Sequence, residues 1–243
     1  MRTAVVSDIH GNLEAFSAVF ADIESRRVDR VVSLGDNIGY GADSEGVIQS
    51  LISHDIPTVL GNHEMAALHE KIFHWHRGDV KRAIEIALAS LSEESLRYFR
   101  QSKTSLSDGG CRFVHGFPPD SFRRYLHEIG DAQLRRAFSE MKETLCFVGH
   151  THQLRLLHYA NDQVWSQKMT NAPLMLPTNE KYIINVGSVG QPRDGSLQAK
   201  YVIWDSRTRQ LELRAVQYDT ATAARKILAA GIPSRFAAMI QGK

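Results

Sequence analysis

Short apolar runs alternate along this chain with longer stretches in which apolar residues return every three or four positions. The first half reads TAVVS, a helical pattern over about 12–26, RVVSLG, a second helix over about 43–53, and then IPTVLG. That order of strand, helix, strand, helix, strand predicts a parallel sheet with covering helices. Over 65–103 the pattern turns helical, most clearly in VKRAIEIALASL, and Ser92 ahead of Glu94 and Ser95 predicts a fresh N-cap. Strands return at CRFVHG and TLCFVGH, with a helix over about 131–142 between them. LRLLHYANDQVWSQK predicts a hairpin turning at Asn161 and Asp162, and YVIWDSRTRQLELRAV a second antiparallel pair with a longer turn. A helix over about 220–230 runs to stop signals at Gly231 and Pro233, with a short helix beyond. Repeats, low-complexity tracts and long linkers are lacking, so residues 1–243 are expected to form one domain with a helical insertion at about 65–103.

Charge narrows the function classes. Lys plus Arg number 29 against 27 Asp plus Glu, with no block of like charge, so no nucleic-acid stripe or membrane-binding patch is indicated. Any attraction for an anion has to be local, and the expected partner is a small molecule. The opening MRTAVVSDIHGN has too short an apolar run for a secretory core or a spanning helix, which predicts a cytoplasmic location. Cys111 and Cys146 lie inside apolar runs and are expected as buried hydrophobes, not as nucleophiles.

The chemistry is concentrated where the apolar runs end. Asp8 and His10 follow the first, Asp36 the second, Asn62 and His63 the third, His115 the CRFV run, and His150 and His152 the TLCFV run. In parallel α/β sheets ligands bind beyond the carboxyl ends of strands, so these five endings can converge on one cleft. Imidazoles, carboxylates and an amide without thiolate suit two divalent cations such as manganese, iron, cobalt, nickel or zinc. Two carboxylates sharing a cleft repel each other without cations, and with them the cleft becomes attractive to phosphate.

In this order, DIHGN, GDN, GNHE, VHG and GHTH resemble the motifs of the calcineurin-like metallophosphoesterases. NVGSVGQPR at 185–193 is similar to the glycine-serine-to-arginine element of the family's small bacterial and archaeal phosphodiesterase-type members. The resemblance implies an α/β fold, a four-layer α-β-β-α sandwich of two mixed sheets. It implies a first metal held by Asp8, His10 and His152, a second held by Asn62, His115 and His150, and Asp36 shared by both. His63 is then outside the metal shell beside the substrate, donating to a phosphate oxygen or to the leaving oxygen. The implied reaction is hydrolysis of a small phosphodiester or phosphomonoester through in-line attack by a metal-bridging hydroxide.

Plainer readings compete at several positions. A lone D-x-H or G-N-H is an ordinary strand-end turn, so only the five together carry the metal-site expectation. Asn12 is explained by capping the helix that begins LEAF. His69, His74 and His76 lack the spacing that puts two imidazoles on one helix face, and are read as part of a lid with Phe73 and Trp75 that could select substrate. Arg123 and Arg124 are read as solvated, with a phosphate clamp as the alternative. Arg193 is read as a substrate contact or as part of a turn set by Gly190, Pro192 and Gly195.

One departure is informative. Protein phosphatases of this family resemble G-D-x-x-D-R-G, whereas this chain has Gly35-Asp36-Asn37-Ile38-Gly39-Tyr40-Gly41. Gly39 and Tyr40 replace the acid and arginine, which disfavours a protein substrate. Tyr40 either contacts substrate at the cleft mouth or packs against the helical segment. A non-catalytic scaffold binding a partner protein is the competing class, but it would be expected to have lost ligands that are retained here.

Overall fold

The computed structural model describes residues 1–170 and 172–243. In one sheet β1 (Arg2–Val6) pairs in parallel with β2 (Arg30–Ser33), while β10 (Ala199–Asp205), β11 (Gln210–Val216) and β8 (Leu174–Met175) continue antiparallel from its other edge. The second sheet runs β3 (Ser105–Asp108), β4 (Cys111–Val114), β5 (Leu145–Val148), β9 (Lys181–Asn185), β6 (Arg155–Ala160) and β7 (Gln163–Gln167), with β4, β5 and β9 parallel and the outer pairs antiparallel.

The continuous apolar runs are explained by burial of both faces of these strands. Val5, Val32, Phe113, Phe147, Ile184 and Val202 meet between the two sheets. Their neighbours point outward. Ala4 and Val6 pack under α1 (Leu13–Ser25) and α2 (Ser44–Ser53), with Phe16, Val19 and Ile48. Cys146 and Val148 pack under α7 (Asp131–Glu140), with Leu134 and Phe138. The result is the expected four-layer sandwich of two mixed sheets. Each fully buried Phe or Ile contributes about 1.5–3 kcal/mol. Both cysteines are free and buried, and burial pushes the Cys111 thiol up to about 11, which leaves them unreactive.

Two strand expectations need correction. IPTVLG forms no strand; only bridges from Thr58 to Ser33 and from Val59 to Lys103 remain. Pro57 has no N–H to donate and Gly61 turns the chain into α3 (Asn62–Leu68), so two paired residues are all the segment can supply. Conversely the sequence pattern predicts none of β3, β8 and β9, and β9 sits centrally between β5 and β6. The helical stretch resolves into α3, α4 (Glu70–Phe73), α5 (Gly78–Ser90) and α6 (Glu93–Gln101), with Ser92 Oγ accepting from Ser95 N at 3.2 Å as its cap. The chain ends in α8 (Thr220–Ala229) and α9 (Ser234–Met239), joined across Gly231. Asn161 and Asp162 turn the β6–β7 hairpin with φ of 50° and 60°. Among the described residues no helix is long and apolar enough to cross a membrane.

Candidate metal centre

The carboxyl ends of both sheets meet at one cleft and are stitched together by main-chain hydrogen bonds. Asp8 N donates to Gly35 O at 3.0 Å, His10 N to Asp36 O at 2.9 Å, Gly149 N to His115 O at 2.8 Å, and Gly190 N to Asp8 O at 2.9 Å. These bonds hold the loops in unusual backbone conformations. Asp8, His10, Asp36, His150 and His152 all have φ between 50° and 67°. That left-handed region costs a non-glycine residue about 1–2 kcal/mol, and such strain persists only where the surroundings over-determine it.

Four imidazoles are oriented by the same device. His10 Nδ1 lies 3.1 Å from Ile38 O, His115 Nδ1 2.8 Å from Leu34 O, His152 Nδ1 2.6 Å from Gln191 O, and His150 Nε2 3.0 Å from Arg123 O. A carbonyl accepts only from N–H, so in each neutral ring the other nitrogen carries a lone pair and faces the cleft. There the rings meet in pairs, His10 Nε2 against His152 Nε2 at 3.1 Å and His115 Nε2 against His150 Nδ1 at 3.0 Å. Two lone pairs at that distance repel unless a proton or a cation lies between them.

The oxygens complete the pattern. Asp8 Oδ2 is tied to Ser7 Oγ at 2.7 Å and His150 N at 3.0 Å, leaving Oδ1 at 3.3 Å from His152 Nε2 and 3.8 Å from His10 Nε2. Asp36 Oδ1 accepts from His63 N at 2.9 Å, and its Oδ2 reaches His115 at 3.3 Å and His10 at 4.0 Å. Among the described residues, Asp8 Oδ1 and Asn62 Oδ1 are buried without a hydrogen-bond partner. Burial, opposed by His115 and reinforced by Asp36, pushes Asp8 up to about 6; burial acts the same way on Asp36, but His115 and His63 hold it well below the usual carboxylate range. Burial drives His10 and His152 well below their ordinary value and His150 to about 3, which keeps these rings neutral. On His115 burial is outweighed by Asp36 and Asp8, which raise it to about 9, a proton taking up charge that a cation would neutralise. Converging lone pairs, orphaned oxygens and mutually repelling carboxylates fit divalent cations with nitrogen and oxygen ligands.

His63 stands in this cleft without the same anchor. Its Nε2 lies 3.9 Å from Asp36 Oδ2, close enough for His10, Asp36 and His63 to form a candidate ligand set of their own, but its Nδ1 has no partner among the described residues. Gly39 explains the room for the ring: φ is 86°, and a Cβ there would lie 2.4 Å from His63 Nδ1. Burial lowers His63 to about 4, although Asp36 opposes it. His76, read as part of a lid, is its neighbour at 5.6 Å between ring centroids, whereas His69 and His74 are exposed and join no candidate metal cluster among the described residues.

Tyr40 joins an apolar cluster that includes Ala83 of α5, so the packing alternative against the helical insertion holds, with α8 and α9 adding to it. Its ring is buried between His10 at 4.3 Å and Phe236 of α9 at 4.5 Å. Burial raises its hydroxyl to about 12 despite the Arg193 charge and hydrogen bond beside it. Arg193 is exposed at the rim, with its main-chain N donating to His152 O at 3.2 Å and its guanidinium to Gln191 Oε1 at 2.9 Å. Asn12 caps α1 as expected, accepting from Ala15 N at 3.1 Å, and its amide donates to Gly190 O at 2.9 Å. The two adjacent arginines separate: Arg124 bonds Gln133, while Arg123 lies over the Trp75 ring at 4.5 Å.

Glu64 was missed. It is fully buried, and its carboxylate accepts from Asp36 N at 2.8 Å, Asn37 N at 2.7 Å and Gly61 N at 2.9 Å, clamping the Asp36 loop to the turn that carries Asn62 and His63. Gly61 lets the two loops approach, since a Cβ there would lie 2.2 Å from Asp36 Oδ1. The available signal was positional, because an acid three residues into a helix binds the cap N–H. Glu64→Gln sets an amide NH2 against N–H donors, and denaturant unfolding is expected to show a loss of about 1–3 kcal/mol. Stability within experimental error of the parent would remove Glu64 from this role.

The family model described as Calcineurin-like phosphoesterase superfamily domain matches residues 1–209. An uncharacterized protein of Methanocaldococcus jannaschii is 30% identical over 236 residues, covering 95% of this chain and 93% of that one. The crystal structure of a metallophosphoesterase from Sphaerobacter thermophilus superposes with a TM-score of 0.84 at 29% identity, over 99% of both chains. A hypothetical protein from Pyrococcus horikoshii OT3 shares the fold at a TM-score of 0.78 and 16% identity, over 98% of this chain and 97% of that one.

Proposed function

The chain belongs to the calcineurin-like phosphoesterase superfamily, and from that premise we propose that it hydrolyses a small phosphodiester or phosphomonoester with two divalent cations. Asp8, His10 and His152 hold one, Asn62, His115 and His150 the other, and Asp36 serves both. The observation that carries the reading is the arrangement of four imidazoles, each fixed by a backbone carbonyl on one nitrogen and open to the cleft on the other. When bound, the cations supply Lewis acidity, polarising phosphoryl oxygens and making water a competent nucleophile near neutral pH. On this reading residues 1–243 act as one domain, with a helical insertion at about 65–103.

The protein's part is placement and charge. Asp36 sets the spacing of the two ligand sets because its Oδ2 faces both. His63 donates to a phosphoryl or leaving oxygen, and Arg193 at the rim draws the anion in. Tyr40 supports His10 from behind and offers its hydroxyl beside Arg193. A scaffold reading gains no support, since all seven ligand positions and His63 are filled around the one cleft.

Metal-stripped protein re-supplied with manganese, nickel, zinc or magnesium is expected to bind about two ions per chain and to hydrolyse a chromogenic phosphoester only when loaded. Active protein found metal-free by elemental analysis would overturn the proposal. Loaded protein inert across a panel of diesters and monoesters would return the chain to the scaffold class.

A further inference from the structure

A cavity of about 280 Å³ adjoins the second ligand set, since Asn62 and His150 belong to its lining. Trp75, His76, Arg123, Tyr125 and Glu128 supply further walls. Two planar pairs meet there: the Arg123 guanidinium lies 4.5 Å over the Trp75 ring, and Tyr125 stacks on His150 at 3.8 Å with 13° between planes. Trp75 remains 49% exposed, so part of its ring is open to a ligand.

The loop that carries Arg123 and Tyr125 is pinned on both sides. Phe122 packs into the insertion with Ile72, Phe73 and Ile84, and Leu126 and Ile129 pack under α7 with Phe138. Arg123 O also holds His150 Nε2 at 3.0 Å, so the same loop orients a ligand and shapes the cavity. Such a subsite is formed before anything binds, which spares the entropy of ordering it.

The chemistry of the walls selects the occupant. Arg123 and Glu128 carry opposite charges, so together they add no net charge that would favour a second phosphate, and Trp75, His76 and Tyr125 supply flat ring surface. The volume lies below the about 300–1,000 Å³ of drug-sized pockets, which suits one ring system better than a peptide. Resting on the phosphoesterase reading, we propose that this cavity binds a planar aromatic group, of the size of a nucleobase, borne on one ester arm of the substrate. Stacking on Trp75 and Arg123 tolerates any base, because every base has a π face. Glu128 is placed to accept from an exocyclic amine.

The methyl esters of adenosine 5′-monophosphate and of ribose 5-phosphate differ only in the base, and serve as the probe pair with metal-loaded protein. The parent is expected to show kcat/KM at least about tenfold higher for the adenosine ester, and the ratio is expected to fall toward one in Trp75→Leu and recover in Trp75→Phe. Calorimetric titration with adenosine 5′-monophosphate and with ribose 5-phosphate is expected to show the same preference and the same loss. A Trp75→Leu protein that slows both esters alike while keeping their ratio, or a parent that binds both phosphates equally, overturns the subsite. Base-dependent binding that disappears in Trp75→Leu without turnover of any ester supports the subsite and defeats the phosphoesterase reading instead.

Discussion

Asp36→Asn is expected to lower kcat/KM on a chromogenic phosphoester by at least about a thousandfold, roughly 4 kcal/mol of transition-state stabilisation. Oδ1 of Asp36 is engaged by His63 N at 2.9 Å, which leaves Oδ2 to face His10 from one ligand set and His115 from the other, at 4.0 and 3.3 Å. An amide can keep the first bond, but it loses the negative charge and, in one orientation, presents N–H to both imidazoles. The metal count should fall with the rate, because on the proposed reading Asp36 would serve both ions. A variant that holds two ions and keeps most of its turnover would show that the carboxylate is not shared.

His63→Ala should behave in the opposite way, leaving both ions bound and the fold intact while reducing turnover by about a hundred to ten thousandfold. His63 approaches Asp36 Oδ2 at 3.9 Å, and although the Ile38 carbonyl is near enough to raise its pKa, its Nδ1 forms no hydrogen bond like those that fix the four ligand candidates. Burial keeps it neutral at pH 7, with a value of about 4, so its ring carries one N–H to donate. If that proton goes to the departing oxygen, the loss should be large for alkyl esters and small for nitrophenyl esters, whose leaving oxygen needs little help. Equal losses would assign His63 to charge stabilisation on the phosphoryl oxygens. Loss of metal in proportion to rate would make His63 a ligand, the arrangement that the His10, Asp36 and His63 cluster leaves geometrically open.

The local pattern was enough to place most elements and the family. Strands buried on both faces read as unbroken apolar runs, Asn12 and Ser92 announced their helices by capping chemistry, and motif order alone collected the eight residues that the folded chain brings to one cleft. The failures lay where pairing is long-range. The segment before Gly61 reads as a strand, yet its length of pairing is limited by Pro57 and by the turn into α3, and β9 becomes a central strand only because β5 and β6 lie on either side of it.

The tertiary structure alone decided orientation. No spacing shows that Ile38, Leu34, Gln191 and Arg123 each lend a carbonyl to turn one imidazole, because those partners lie 28, 81, 39 and 27 residues away. Nor does sequence reveal that five candidate metal ligands adopt left-handed backbone, that Glu64 clamps two loops, or that Phe236 of α9 backs Tyr40 behind His10. Residue type sets which atoms can bind a cation or donate a proton, and that is written locally. Which way those atoms point is settled by contacts between segments distant in the chain, which exist only once the two sheets have closed on each other.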